Sequence, residues 1–237
     1  MLAQLDDLAS LTSIDISGML GQMTSFPSQL TSSLRVDRRR DLEAETVVVG
    51  GLGGSAMGGD VLAEYMAMSS SAPTFVVRDT TFPRWADERT LVVLMSYSGN
   101  TRETLSLYGS ARERGCPMVV ITSGGRLLEM AGQDGQDVVQ VPSGLQPRAA
   151  LGYLLGSAAC VVESTGLAPM ASDIRAFVPS LEALMQDLLP TSPQTHNPAK
   201  RIAMSLVDSM PFVYAPRTLR SAATRWQTQI NENAKML

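Results

Sequence analysis

The stretch Ser96-Tyr97-Ser98-Gly99-Asn100-Thr101 follows an unbroken apolar run, Leu91–Met95. Such a run reads as a strand covered on both faces. What comes after it is a cluster of small polar side chains and one glycine at the start of a helix. Ser96, Ser98 and Thr101 in that setting are donors for three oxygens of a phosphate, and the helix N-terminus adds free backbone N–H groups and a favourable dipole. Local turn and capping work is the plain alternative for any one of these hydroxyls. A second loop of related character, VVVGGLGGSAMGGD (Val47–Asp60), follows an earlier apolar run. Its glycines permit close backbone approach to an anion at a helix N-terminus.

Two ligands compete for these loops. Gly51-Leu52-Gly53-Gly54-Ser55-Ala56 satisfies the G-x-G-x-x-A dinucleotide fingerprint, and Asp79 sits after the second strand, where a ribose-binding acid belongs. Glycines are so dense here, however, that some register matches by chance. A dinucleotide has no need of a second, hydroxyl-rich cradle, whereas a terminal phosphate monoester does. Phosphate is therefore favoured.

Outside the loops, Arg148 stands at a helix start, where a cation opposes the dipole, so it is expected to serve an anion or a carboxylate. The single histidine, His196, falls in the loop SPQTHNP and reads as solvent-exposed. Cys116 and Cys160 lack metal-ligand spacing and read as reduced core thiols.

The elements that position these residues follow from an alternation along the chain. Apolar runs at Thr46–Val49, Thr74–Val77, Leu91–Met95, Met118–Thr122 and Asp137–Val141 are separated by helix-length segments. The pattern predicts a flavodoxin-like, five-stranded parallel sheet in strand order 2-1-3-4-5, with ligands beyond the carboxyl ends of the strands. Asn100 and Glu103 have capping-box spacing, and Gly115 followed by Pro117 ends that helix. The apolar run Ala149–Val162 is too short to span a bilayer and reads as a core or interface helix. Ile174, Phe177, Leu181, Leu184, Met185 and Leu188 share one face of a helix expected to bend or break near Pro179. A helix from about Ala199, a strand-like run Pro211–Ala215 and a helix Ser221–Lys235 then open a second α/β half without completing it. The expected divisions are 1–45 (helical arm and linker, ending in the charged run RVDRRRDLEAE), 46–165, 166–198 and 199–237.

With 237 residues, 44% of them hydrophobic, and a net charge of −4, the chain is a globular protein without the basic surface that nucleic acid or anionic membrane requires. The acidic N-terminus lacks the basic region of a signal peptide, which points to the cytoplasm.

GGLGGSAMGGD, MSYSGNTRET, ITSGGRL, PRAALGYLL and RWQTQINENAK together resemble the sugar isomerase (SIS) domain family, in its bifunctional phosphoglucose/phosphomannose isomerase branch. The resemblance implies that two SIS domains lie side by side, that the chain forms a homodimer, and that the substrate is a hexose 6-phosphate. It further implies that Gly53, Gly54 and Ser55 touch the sugar or phosphate, that Ser96, Ser98 and Thr101 hold the phosphate, that Arg148 offsets charge on an enediolate, and that Glu232 moves the proton between C1 and C2. No metal or redox cofactor is called for in this chemistry. The family's ring-opening histidine, an assisting lysine and a small hydroxyl residue fall at positions later than Leu237. The expectation is an aldose–ketose isomerase, with a non-catalytic sugar-phosphate sensor and a Rossmann-type nucleotide module as the other readings.

Overall fold

The computed structural model describes residues 5–34 and 44–236. Most of the charged run, residues 35–43, lies outside them. Two compact units are present: Ser28–Ala176, and Met1–Pro27 together with Phe177–Leu237.

The first unit is built on five parallel strands, β1 (Thr46–Gly51), β2 (Thr74–Val77), β3 (Thr90–Met95), β4 (Met118–Thr122) and β5 (Asp137–Gln140), in the order β2-β1-β3-β4-β5. This is the predicted doubly wound sheet. Its register pairs Val48 with Val92 and Val93 with Val119, and all four are buried to 1% exposure or less. A central strand covered on both faces has no need of polar alternation, which is why β3 reads TLVVLM. Helices α1 (Leu8–Ile14), α2 (Met19–Thr24) and α3 (Phe26–Ser33) precede the sheet. Between its strands run α4 (Gly54–Ser69), α5 (Arg102–Glu113) and α6 (Gly125–Gln133). A 3-10 turn, Pro147–Ala149, leads into α7 (Leu151–Ser164). The 149–162 apolar run resolves as core: Leu154, Ala158 and Val162 have no exposed surface.

Besides the helix expected between β2 and β3, which residues 78–89 do not form, local expectations are corrected at four places. The N-cap of α5 is Thr101, not Asn100. The Asn100 side chain is spent elsewhere, accepting the Arg126 N–H at 3.0 Å and donating to the Ser98 carbonyl at 3.2 Å. Glu103 still lies in the first turn, where its charge suits the dipole. The helix α8 (Met170–Leu188) is not broken at Pro179; both that residue and Arg175, whose carbonyl loses its helical N–H partner to the proline, are exposed. Third, the run Pro211–Ala215 forms no strand. Prolines at both Pro211 and Pro216 withhold N–H groups, and among the described residues no backbone pairs with it. Finally, the last helix is two elements: α10 (Arg220–Gln229) passes into a π-helical turn, Ile230–Ala234, and Lys235 leaves with φ +56°. Gly115 ends α5 as expected, with φ +68° and the Cys116 N–H returning to the Ala111 carbonyl at 3.1 Å.

The second unit contains α9 (Pro198–Ser205), capped by the buried Asn197 side chain on the Lys200 N–H. Lys200 Nζ reaches Asp6 Oδ1 at 2.9 Å and the Pro190 carbonyl at 2.7 Å, which fixes the N-terminal segment to this unit. His196 is exposed and pairs through Nδ1 with the Thr195 hydroxyl. Cys116 is buried and Cys160 partly buried, and neither is in a disulfide. Among the described residues no helix is long and apolar enough to cross a membrane.

Candidate functional site

At the carboxyl edge of β3 the chain must turn sharply to enter α5, and the SYSGNT loop achieves this with internal hydrogen bonds. Ser96 Oγ accepts the Gly99 N–H at 3.1 Å and pairs with Thr101 Oγ1 at 2.9 Å. Ser96 is 1% exposed, Thr101 half-buried and Ser98 exposed. Ser98 Oγ accepts the Asn100 N–H at 3.3 Å, leaving its own proton to donate. Ser98 is thus the most open hydroxyl of the three.

The Gly-rich turn between β1 and α4 stands beside this loop. Ser55, buried in the first turn of α4, accepts the Tyr97 N–H on Oγ at 3.1 Å. Gly53, the N-cap, is exposed and faces open space. Gly54 is a contact point: a Cβ there would lie 3.0 Å from Arg148 Cα and 3.1 Å from the Pro147 carbonyl oxygen. The absent side chain lets the 3-10 turn carrying Arg148 rest on the Gly loop. Neither Gly53 at α4 nor Thr101 at α5 makes a side-chain cap bond, and the first turns of both helices lie at the same edge of the sheet; of their N–H groups, that of Ser55 already donates to the Leu52 carbonyl at 3.2 Å. Six of the predicted site residues, Gly53, Gly54, Ser55, Ser96, Ser98 and Thr101, therefore gather in one unit together with Arg148.

Three supports for this site were given no role from the sequence, although the first lies within ITSGGRL, one of the motifs that carry the resemblance. The turn after β4 locks against SYSGNT: Ser123 donates N–H and Oγ–H to the Tyr97 carbonyl at 3.0 and 2.5 Å, and the Leu127 N–H reaches the Gly99 carbonyl at 2.9 Å. The adjacent pair Gly124-Gly125 directly after a strand was the available signal. Gln29, 1% exposed, donates to the Ala149 carbonyl at 2.9 Å and accepts the Gly152 N–H at 3.1 Å, clamping the junction between the Arg148 turn and α7. It lies 120 residues away from Ala149, beyond the reach of any local pattern. Behind the loops, α5 and α6 are braced by Asp134, which accepts from the Tyr108 hydroxyl at 2.7 Å and from Arg112 at 2.8 Å. Those bonds, Tyr108 first, hold the Asp134 carboxyl below its ordinary range; burial, and then Asp134, push the Tyr108 phenol well above its own.

Glu232 belongs to the other unit, exposed within the π-helical turn. Its neighbour Asn231 reaches the Gln227 and Met236 carbonyls through its amide nitrogen at 2.9 and 3.0 Å, and Asn233 donates to Gln229 Oε1 at 3.1 Å. These amides fix the turn from both sides of the glutamate. Beside it, α10 and the Met210–Val213 segment border a largely apolar groove of about 410 Å³. No group of histidine, cysteine or acidic residues suited to a metal occurs among the described residues.

The SIS domain pattern matches residues 42–126, and the pattern described as the bacterial phospho-glucose isomerase C-terminal SIS domain matches residues 195–237. The bifunctional phosphoglucose/phosphomannose isomerase of Caldicellulosiruptor bescii is 38% identical over 224 residues, 92% of this chain and 66% of the relative. Its namesake from Thermoplasma acidophilum is 39% identical over 191 residues, 81% of this chain and 56% of the relative. The chain belongs to the SIS domain family. It spans about two thirds or less of the length of these relatives. The fold agrees as well: the C-terminal domain of glucosamine-fructose-6-phosphate aminotransferase from Francisella tularensis superposes with a TM-score of 0.62 at 12% identity, covering 90% of this chain and 66% of that one. The SIS match covers both the Gly loop and SYSGNT, and Glu232 falls within the C-terminal SIS match.

Proposed function

We propose that this SIS-family chain binds a hexose 6-phosphate and takes part in aldose–ketose isomerisation between glucose 6-phosphate and fructose 6-phosphate, with mannose 6-phosphate as a further substrate. The observation that carries the reading is the convergence, in one unit, of two uncapped helix N-termini, the exposed Ser98 hydroxyl and the Arg148 turn seated on Gly54. Phosphate oxygens accept from Ser98, from Thr101 and Ser96 once their mutual bond rearranges, and from the first-turn N–H groups of α4 and α5. Gly53 and Gly54 let the ligand approach the backbone, and Ser55 holds the two loops together.

In the reaction, the Glu232 carboxylate removes the C2 proton of the open-chain aldose. The C–H electron pair forms the C1–C2 double bond as the carbonyl pair withdraws to O1, giving a cis-enediolate. Arg148 offsets that charge. The proton returns from Glu232 to C1 while the O2 hydroxyl proton passes to O1, leaving the C2 ketone. No electron acceptor enters this balance.

Residues 199–237 are read as the opening of a second SIS half, after a helical arm and linker at 1–45, the binding domain at 46–165 and a connecting segment at 166–198. A homodimer in the cytoplasm accompanies the reading. Asp79 is not needed for it, and its carboxylate already accepts the Thr80 N–H and hydroxyl.

The test is turnover of fructose 6-phosphate to glucose 6-phosphate by the purified chain, with Glu232→Gln as control. Turnover lost in the control supports the isomerase. Binding of fructose 6-phosphate without turnover supports the sensor reading, and protection against unfolding by NADH alone would overturn both in favour of a nucleotide module.

A further inference from the structure

Tyr97 is the second residue of SYSGNT, and each of its polar groups is committed to a different segment of the unit. Its N–H donates to Ser55 Oγ in the Gly loop at 3.1 Å, and its carbonyl accepts from Ser123 after β4. Its side chain crosses to the loop that follows β5. There the phenol donates to the Pro142 carbonyl at 2.9 Å and accepts the Leu145 N–H at 3.0 Å. The residue is 5% exposed, although Pro142, Ser143 and Gly144 of the loop it ties down are all exposed.

That loop ends three residues later at Arg148. Past Leu145, Gln146 accepts the Ala149 N–H at 2.8 Å and Pro147 accepts the Ala150 N–H at 3.3 Å, so the short span is a closed 3-10 turn. A tight turn transmits the position of its first residue to its last. Arg148 is thereby located from two directions: Gly54 supports its backbone from below, and the Tyr97 phenol fixes the approach to its turn. Because Tyr97 lies between Ser96 and Ser98, the same residue sets both the phosphate loop and the arginine.

We propose that Tyr97 is a positioning residue that holds Arg148 at a fixed offset from the phosphate cradle, and so couples recognition of the phosphate to recognition of charge at the C1–C2 end of the substrate. The inference rests on the hexose 6-phosphate reading for its ligands, and on hydrogen bonding alone for its mechanics. The phenol needs its hydroxyl for this, since it serves as donor and acceptor at once, while the ring merely fills space.

Tyr97→Phe keeps the ring and removes both bonds. Amide hydrogen exchange measured by NMR on the full chain is expected to quicken about tenfold or more at Leu145, Ala149 and Ala150, with Val92 and Val93 in β3 unchanged. Affinity for 5-phosphoarabinonate, whose carboxylate stands for the enediolate, is expected to fall about tenfold, whereas inorganic phosphate binds within about twofold of the unaltered chain. Adding Tyr97→Phe to Arg148→Ala then costs the aldonate little more than Arg148→Ala alone. Unchanged exchange at Ala149 and Ala150 would overturn the proposal, as would equal losses for the two ligands or fully additive losses in the double variant. If the unaltered chain binds neither probe, the hexose phosphate reading fails, and the exchange at Ala149 and Ala150 by itself decides whether Tyr97 governs the Arg148 turn.

Discussion

The Ser55 hydroxyl and the Tyr97 backbone N–H, 42 positions apart, meet at 3.1 Å and join the Gly loop after β1 to the SYSGNT loop after β3. β1 and β3 are neighbours in the sheet, paired in parallel from Thr46 with Thr90 to Gly51 with Met95. Their carboxyl ends therefore finish at the same height, and one side-chain hydrogen bond suffices to fuse the turns that follow.

Ser55→Ala leaves the buried Tyr97 N–H without that acceptor. The expected loss is about 1–3 kcal/mol of unfolding free energy, read from urea denaturation with an unchanged slope. Fructose 6-phosphate affinity should fall in the same variant, because the two loops are no longer held together.

Gly99→Ala and Gly54→Ala should differ in kind. At Gly99, φ is +68° and a Cβ would sit 1.7 Å from the Gly124 carbonyl oxygen, so the substitution forces SYSGNT away from the β4–α6 turn. Failure to fold, or a loss above about 3 kcal/mol, is expected. At Gly54 the Cβ meets the Arg148 backbone at 3.0–3.2 Å, a conflict that a shift of the turn relieves. That variant should fold, lose about 1 kcal/mol, and bind 5-phosphoarabinonate more weakly than inorganic phosphate relative to the parent chain.

Gln29→Ala removes a buried amide serving Ala149 and Gly152 and leaves a small cavity at the head of α7. A loss of about 2–4 kcal/mol is expected in urea denaturation. Gln29→Glu, which keeps the acceptor but not the donor, should be no better than Gln29→Ala at neutral pH.

The Tyr108–Asp134–Arg112 brace predicts opposite slopes at the two ends of the pH range. The Asp134 carboxyl is depressed in the folded state, so its contribution is present above the ordinary carboxylate range and is lost as pH falls through the depressed value. The Tyr108 phenol is raised, so its contribution is complete below the ordinary tyrosine range and declines as pH rises beyond it. Thermal unfolding against pH should show both limbs; Asp134→Asn should flatten the acid limb and Tyr108→Phe the alkaline one.

Phe212 and Tyr214 are 71% and 88% exposed beside the groove bordered by α10. If residues 199–237 belong to a second SIS half, these exposed apolar side chains mark a surface that apolar groups can cover. The chain should bind an apolar dye such as ANS, and Phe212→Ser with Tyr214→Ser should reduce that binding with unfolding of the Ser28–Ala176 unit unchanged. Dye binding that persists undiminished would count against the assignment.

Much of this was determined by the sequence alone. A buried parallel sheet needs uninterrupted apolar runs, because both faces of each strand are covered; TLVVLM and MVVIT therefore declare β3 and β4 without any partner in view. The hydroxyls and glycines of the two strand-to-helix turns were equally legible, since chain reversal at a helix start admits few residue types. Where the sequence misled, a competing use of the same side chain was the reason. Asn100 has the spacing of a cap, but Arg126 N–H, 26 residues on, claimed it. Pro211–Ala215 has strand composition, but a strand exists only when another backbone supplies hydrogen bonds.

Tertiary structure alone decided how the loops are held together. That Gly54 makes room for Arg148, that Gln29 clamps the junction leading into α7, and that the Tyr97 phenol ties the Pro142–Leu145 loop to SYSGNT are long-range contacts. Composition and periodicity report on neighbours within one element. Hydrogen bonds spanning tens to more than a hundred residues are set by which strand ends the sheet brings side by side, and that information appears only once the chain has folded.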